Sequence, residues 1–314
     1  DSLKPEARNI YLVRRLGVTT ALIAPGETNV LSGQSALINL ASEIKGEQVI
    51  KFPVGIHANL GVLPKMYYGE RGLMPSTRMG EVALLRQILL ETKEYLYFQN
   101  RDIDSSEPSP KIYFRSPGKS QKKFILQSLI PLLKKQLPLI IRANKKSDIL
   151  AALRIAREFD LKIIINHGAE SYSMAEELAR EKIPVIWGPT SCFFSQLETA
   201  QSQYEGVIYL WKAGVKFAFQ SLSGEKIEDI YSQARQAVKY GLPLKEAFRA
   251  LSTYPAQMFG VGDKIGSLEK GKLANLVVWE GNPLLETNSK VRLIIINGHI
   301  VESHLPGVDL FPSK

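Results

Sequence analysis

The sequence predicts an α/β protein built on a mainly parallel sheet, with a small antiparallel β unit at its C-terminal end. Three observations carry this. Between residues 137 and 240, short apolar β-branched runs alternate with amphipathic stretches of helical length. From Gly266 onward the texture changes to short strand-like runs separated by Gly and Asn-Pro turn signals. Of the 314 residues, 45% are hydrophobic and 23% charged, which suffices for a large core and excludes a disordered or fibrous chain.

The elements follow in order. Residues 19–24 (TTALIA), closed by Pro25-Gly26, read as a buried strand, and residues 35–41 and 49–58 as two more. Residues 78–99 carry Val82, Leu84, Leu85, Ile88, Leu89 and Leu96 in helical rhythm. Residues 102–110 form a polar loop containing Pro, and 122–135 a helix. Then strand 137–143, helix 147–159 with Asp148 near its positive end, strand 161–166 and helix 173–181 succeed one another. Strand 183–187 stops at Gly188-Pro189; helix 203–213, strand 215–219, helix 225–240 and helix 242–259 follow. Strands at 276–279 and 291–297 are bounded by Gly281, Asn282, Pro283 and Gly298. About seven body strands precede Leu242, one short of an eight-stranded α/β barrel whose first strand is missing. An open doubly wound sheet is the rival, but nothing resembles its phosphate loop. The division expected is a barrel over 1–262 and a β-sandwich portion over 263–314.

Charge and special residues narrow the function classes. Lys and Arg exceed Asp and Glu by 40 − 31 = +9, but the positive charges are scattered. The densest group, Lys119, Lys122 and Lys123, reads as a solvated loop and helix start, so no nucleic-acid partner is expected. The single cysteine, Cys192, permits no internal disulfide and reads as a packed loop residue. No apolar run is long enough to span a membrane and no signal-peptide pattern occurs, leaving cytoplasm and periplasm both open. The chain begins at Asp1, so a preceding segment is an expectation. Gly118-Lys119-Ser120 ends like a phosphate loop, but Tyr113 stands where the leading Gly belongs. Residues 26–33 (GETNVLSG) are no dinucleotide fingerprint, and HExxH and GxSxG do not occur. Four histidines exist: His57, His167, His299 and His304.

Gly17-Val18-Thr19-Thr20, Pro25-Gly26, Gly33-Gln34, Thr77-Arg78-Met79-Gly80, Asp148-Ile149, His167-Gly168-Ala169-Glu170, Gly188-Pro189, Ala213-Gly214-Val215, Pro255-Ala256, Ile265-Gly266-Ser267 and Gly271-Lys272 together resemble the amidohydrolase superfamily. The branch is that of imidazolonepropionase-like and prolidase-like metal-dependent hydrolases, and the match runs from about Arg14 to Val301. The resemblance implies a (β/α)8 TIM-like barrel, here without its first strand and that strand's His-x-His pair. It also implies that the tail from Gly266 joins a β-sandwich whose other strands come from an N-terminal segment not found in this chain. It implies hydrolysis of carbon–nitrogen bonds other than peptide bonds, with one or two divalent ions, usually zinc, activating water.

Position by position, that metal site is eroded. His57 stands where the family's fourth strand offers Lys or a bridging ligand. The fifth strand ends Arg142-Ala143-Asn144 in place of His-Ala-His, and the sixth keeps His167 with Glu170 behind it. The last strand reads Ser221-Leu222 where Ser and the catalytic Asp are expected. No catalytic residue is therefore assigned. His57 and His167 are the weak metal candidates, and too few for a catalytic zinc held by three protein ligands. Arg142 is a permanent cation at a ligand position. The expectation is a catalytically impaired barrel without cofactor, whose pocket draws on His57, Arg78, Arg142, Asn144, His167, Glu170 and Ser221. Arg142 would replace the metal charge, pairing with Glu170 or lying near His167. His167 has a plainer reading as a buried imidazole with both nitrogens bonded. Arg78 reads equally as a substrate-carboxylate ligand or a helix-start ion pair. Two alternatives stay open: an active metal-dependent enzyme completed by an absent N-terminal segment, with zinc or another divalent ion, and a scaffold or partner subunit in a homo- or hetero-oligomer.

Overall fold

The computed structural model describes residues 8–41, 48–99, 119–189, 204–221 and 230–305. Cys192, Leu222 and the loop expected at 102–110 lie outside them. Among the described residues, no helix is long and apolar enough to cross a membrane.

Helix α1 (Arg8–Arg15) leads into β1 (Thr20–Ile23), β2 (Leu31–Gln34), β3 (Ala36–Asn39), β4 (Val49–Lys51) and β5 (Ile56–Asn59). Helices α2 (Val62–Gly69), α3 (Arg78–Gln99) and α4 (Lys119–Leu133) follow. Then β6 (Leu139–Ala143), α5 (Lys146–Phe159), β7 (Ile163–His167), α6 (Ala175–Arg180), β8 (Val185–Trp187) and β9 (Phe217–Phe219) alternate as expected. The principal sheet has the order β2-β5-β6-β7-β8-β9, with β5 through β9 parallel and β2 antiparallel to β5.

Three early runs depart from the expected body sheet. The runs at 19–24 and 35–41, and the first half of 49–58, form a separate antiparallel sheet in the order β1-β3-β4. Pro53 and Gly55 split the 49–58 run, because neither sustains a central strand, and only β5 joins the principal sheet.

The strands of the principal sheet present two different faces. Ile56, Ala58, Ile141, Ile165, Val185, Trp187 and Phe217 pack against helix residues such as Leu85, Leu89, Leu153, Leu178 and Leu210. The opposite parity changes along the strands. Near their starts, Ile140, Ile164 and Ile186 close on Leu37, Val54 and Phe259. One pleat further on, Asn59, Arg142 and Asn166 stand in register. An apolar plug thus gives way to a polar interior at the strand ends, where active sites of such barrels lie.

The tail holds a third strand that the sequence reading omits, so its sheet is β10 (Leu276–Glu280), β11 (Lys290–Ile296) and β12 (His299–Ser303). Its face is covered from within this chain. Ile38 and Leu40 of the small sheet meet Ile294 and Ile296, with Ile10 and Val13 of α1 alongside. Asn39 Nδ2 donates to Asn297 Oδ1 at 2.9 Å and Asn275 Nδ2 to Asn39 Oδ1 at 2.8 Å. The small sheet thus packs on one face of the tail, because β3 alternates Leu37 toward the plug and Ile38 toward the tail.

Candidate functional site

The site is built on the loop after β1. Ser32 Oγ donates to Gly26 O at 2.7 Å, and Asn59 Nδ2 donates to Asn29 O at 2.7 Å and to Ser32 Oγ at 2.8 Å. Tyr68 Oη donates to Asn29 Oδ1 at 2.8 Å. Pinned in this way, the loop carries Glu27 over the ends of β6 and β7.

Glu27 is the centre of the arrangement. Its Oε2 lies 3.2 Å from Arg142 Nε and its Oε1 lies 2.8 Å from His167 Nε2. Asn166 Nδ2 reaches the same Oε1 at 3.5 Å. Burial alone would raise the Glu27 pKa, but the His167 ring, its hydrogen bond, Arg142 and His57 outweigh it and hold the carboxyl at about 2. Burial drives His57 down to about 4 although Glu27 opposes the shift, so that imidazole is neutral at pH 7. The interior therefore holds a fixed carboxylate, a fixed guanidinium and a neutral imidazole.

His167 reaches Glu27 by a backbone device. Its register pairs it with Ala143 and Trp187, whose side chains face the helices. A left-handed turn at His167 (φ 70°) and Gly168 (φ 55°) redirects the ring. A Cβ at Gly168 would stand 2.7 Å from Val185 Cγ1, so the turn needs Gly there. On the expected plain reading both ring nitrogens are bonded; instead Nδ1 is buried without a partner among the described residues. His57 Nε2 and Asn166 Oδ1 are buried in the same condition.

The other sequence candidates divide. Arg142, only 1% exposed, pairs with Glu27 and not with Glu170. Glu170 Oε2 accepts the Lys146 amide at 2.7 Å, because the bare N–H groups at the start of α5 attract a carboxylate. Asn144 is buried and its Oδ1 accepts the Ala169 amide at 3.4 Å, bracing the turn after His167. Arg78 Nε donates to both Asp148 oxygens at 2.9 and 3.2 Å, an ion pair that joins the starts of α3 and α5. Ser221 is partly buried beside Gln220, at the edge of the described residues. Gln220 Nε2 donates to Gly188 O, and Gln233 Nε2 to Gln220 O at 2.7 Å, closing the β8–β9 end.

Sequence reasoning missed Glu27, Asn59 and Asn166. The available signal for Glu27 was a carboxylate directly after the strand-ending Pro25-Gly26 pair.

Residues 141–301 match the amidohydrolase family. The chain belongs to that family. A solved amidohydrolase from Thermotoga maritima is 32% identical and superposes over 97% of this chain and 77% of its own, with a TM-score of 0.84. The fold is accordingly that of the TIM-barrel amidohydrolases, with an antiparallel sheet at its C-terminal end. The amidohydrolase tasK of Hapsidospora irregularis is 24% identical over 307 residues, 90% of this chain and 30% of its own length. The N-acetylglucosamine-6-phosphate deacetylase of Haemophilus influenzae is 40% identical over 76 residues, 24% of this chain and 20% of its own. The chain thus spans under a third of each of these two relatives.

Amidohydrolases are typically metal-dependent. The donors present do not fit such a centre: no group of three His, Cys, Asp or Glu able to hold an ion occurs among the described residues. The carboxylate that faces both imidazoles is engaged by a buried, permanently charged guanidinium, which repels a divalent cation.

Proposed function

We propose that this chain is an amidohydrolase module that does not hydrolyse its substrate by metal catalysis, its pocket being held by an organic ion pair. The observation that carries the reading is the buried Arg142 guanidinium, 3.2 Å from Glu27, at a strand end where the family resemblance implies histidine. Leu222 at the expected position of the catalytic Asp supports the same reading from sequence alone. The pocket retains recognition chemistry. His57 Nε2, Asn166 Oδ1 and His167 Nδ1 are buried polar atoms able to bond a small polar ligand. The module then acts as a binding or partner subunit in a larger assembly.

Elemental analysis of the purified protein, with thermal melts in added zinc and manganese, tests this. Metal far below one ion per chain and an unmoved melting temperature are expected. A near-stoichiometric ion with hydrolysis of a cyclic amide or dipeptide-like substrate would overturn the reading.

A second reading has one observation in its favour: His57 and His167 both bear on Glu27. On it, residues outside this chain complete a metal centre and the whole protein hydrolyses carbon–nitrogen bonds other than peptide bonds. The same elemental analysis on the longest natural polypeptide distinguishes the two.

A further inference from the structure

The end of the principal sheet opposite Glu27 carries a groove of about 760 Å³ across the starts of β6, β7 and β8. Its floor includes Val54, Pro138, Ile164 and Phe259, and its rim carries Lys51, Lys135, Lys162 and Lys182. Lys135 is paired with Asp160, and Arg157 with Glu177 and Glu181. Lys162 and Lys182 are exposed and form no ion pair among the described residues. Lys51 Nζ donates to Phe259 O at 2.7 Å and has no carboxylate partner among the described residues.

The backbone gives a second, independent observation. Among the described residues, seven helices end in the same turn, in which an amide reaches back five residues: Leu73 to Tyr68, Gln136 to Pro131, Leu161 to Ala156, Ile183 to Leu178, Val215 to Leu210, Leu242 to Ala237 and Val261 to Ala256. In each turn the residue before the amide is left-handed: Gly72 (φ 63°), Lys135 (φ 55°), Asp160 (φ 53°), Lys182 (φ 55°), Gly214 (φ 83°), Gly241 (φ 106°) and Gly260 (φ 64°). Glycine takes this conformation without strain and lysine does not. The three turns away from the groove use Gly; of the four that line it, one uses Gly260 and three carry charged side chains. Strain is accepted where the side chain reaches the groove.

We propose that this groove binds an extended acidic peptide segment, its carboxylates on Lys51, Lys162 and Lys182 and its apolar side chains on the floor. The groove crosses three neighbouring strands, a span of about 10 Å at ~4.8 Å per strand, which matches three or more extended residues. An apolar floor between cations suits alternating acidic and apolar side chains better than a bare polyphosphate. The proposal rests on this face alone and is independent of the reading of the Glu27 pocket.

Fluorescence anisotropy with a labelled hexapeptide of alternating Glu and Leu tests it, with the Lys/Leu counterpart and inorganic tripolyphosphate as competitors. Saturable binding is expected, weakened at least about tenfold in the Lys162→Glu/Lys182→Glu variant and by added salt. Lys182→Gly separates recognition from folding: it should raise the melting temperature by relieving the turn and weaken peptide binding several-fold. Absence of saturation, equal binding by wild type and both variants, or tripolyphosphate competing as well as the unlabelled peptide would overturn the proposal.

Discussion

Replacing Glu27 by Gln keeps the side chain's shape and removes the charge facing Arg142. The magnitude follows from the geometry. At 3.2 Å and an effective dielectric of about 20, the attraction is about 5 kcal/mol. Glu27 is 33% exposed, so water screens part of this, and the variant also recovers the burial penalty of the carboxylate. Arg142 is 1% exposed, so in the variant a buried guanidinium loses this carboxylate while staying charged. The net loss expected is about 2–3 kcal/mol.

Urea unfolding followed by tryptophan fluorescence reads this directly, since buried Trp187 packs 5.8 Å from Tyr204 near the strand ends. Arg142→Met and the double variant complete a cycle. The double variant should be more stable than Glu27→Gln alone, because an apolar side chain leaves no buried charge behind. A Glu27→Gln protein within about 0.5 kcal/mol of wild type, or a double variant no better than that single one, refutes the reasoning.

Acid should act in two windows. Between pH 6.5 and about 4 the unfolded chain protonates His57 while the folded one does not, so stability drops as the pH is lowered through that window, and a His57→Gln melt series should lose that slope. The folded-state pKa of Glu27 is depressed, so its contribution is complete above about pH 4.5 and disappears as pH falls toward about 2; Glu27→Gln should flatten that lower window. Gly188→Ala should destabilise by roughly 2 kcal/mol or more in thermal or urea melts, since the added Cβ would stand 2.5 Å from Gln233 Oε1 at a φ of 97°. Asn39→Leu should loosen the tail sheet, costing about 2–3 kcal/mol and raising hydrogen exchange in β10 and β11, because Asn275 Nδ2 and Asn297 Oδ1 both bond its amide group.

The alternation from β6 to β9 was readable because strands buried on both faces appear as unbroken apolar runs, as in LPLIIRA and LKIIIN. The same property hides sheet membership. TTALIA has the composition of a barrel strand, but its place in the small sheet depends on pairing with β3, which periodicity does not encode. Arg142 and His167 could be placed at strand ends because each closes an apolar run. Their partner could not, since Glu27 is 115 and 140 residues away from them, brought in by a loop held through Asn59 and Tyr68. The direction of His167 was equally hidden: strand parity sends it toward the helices, and only the positive φ at His167 and Gly168 reverses it.

On the proposed function, Arg142, Glu27 and His57 account for how this interior would do without the ion that the family resemblance implies. A barrel mouth that gathers imidazoles and a carboxylate around a divalent cation must stay electrostatically balanced when the ion is given up. Arg142 supplies a positive charge that never dissociates, and Glu27 faces it from a loop rather than from a barrel strand. Because burial keeps His57 neutral, the balance at pH 7 does not depend on that imidazole. An ion held by dissociable donors is lost to chelators and acid, whereas this pair yields only when Glu27 is protonated, near pH 2. The arrangement therefore favours a permanently formed pocket, and chelator should leave both its stability and its ligand binding unchanged.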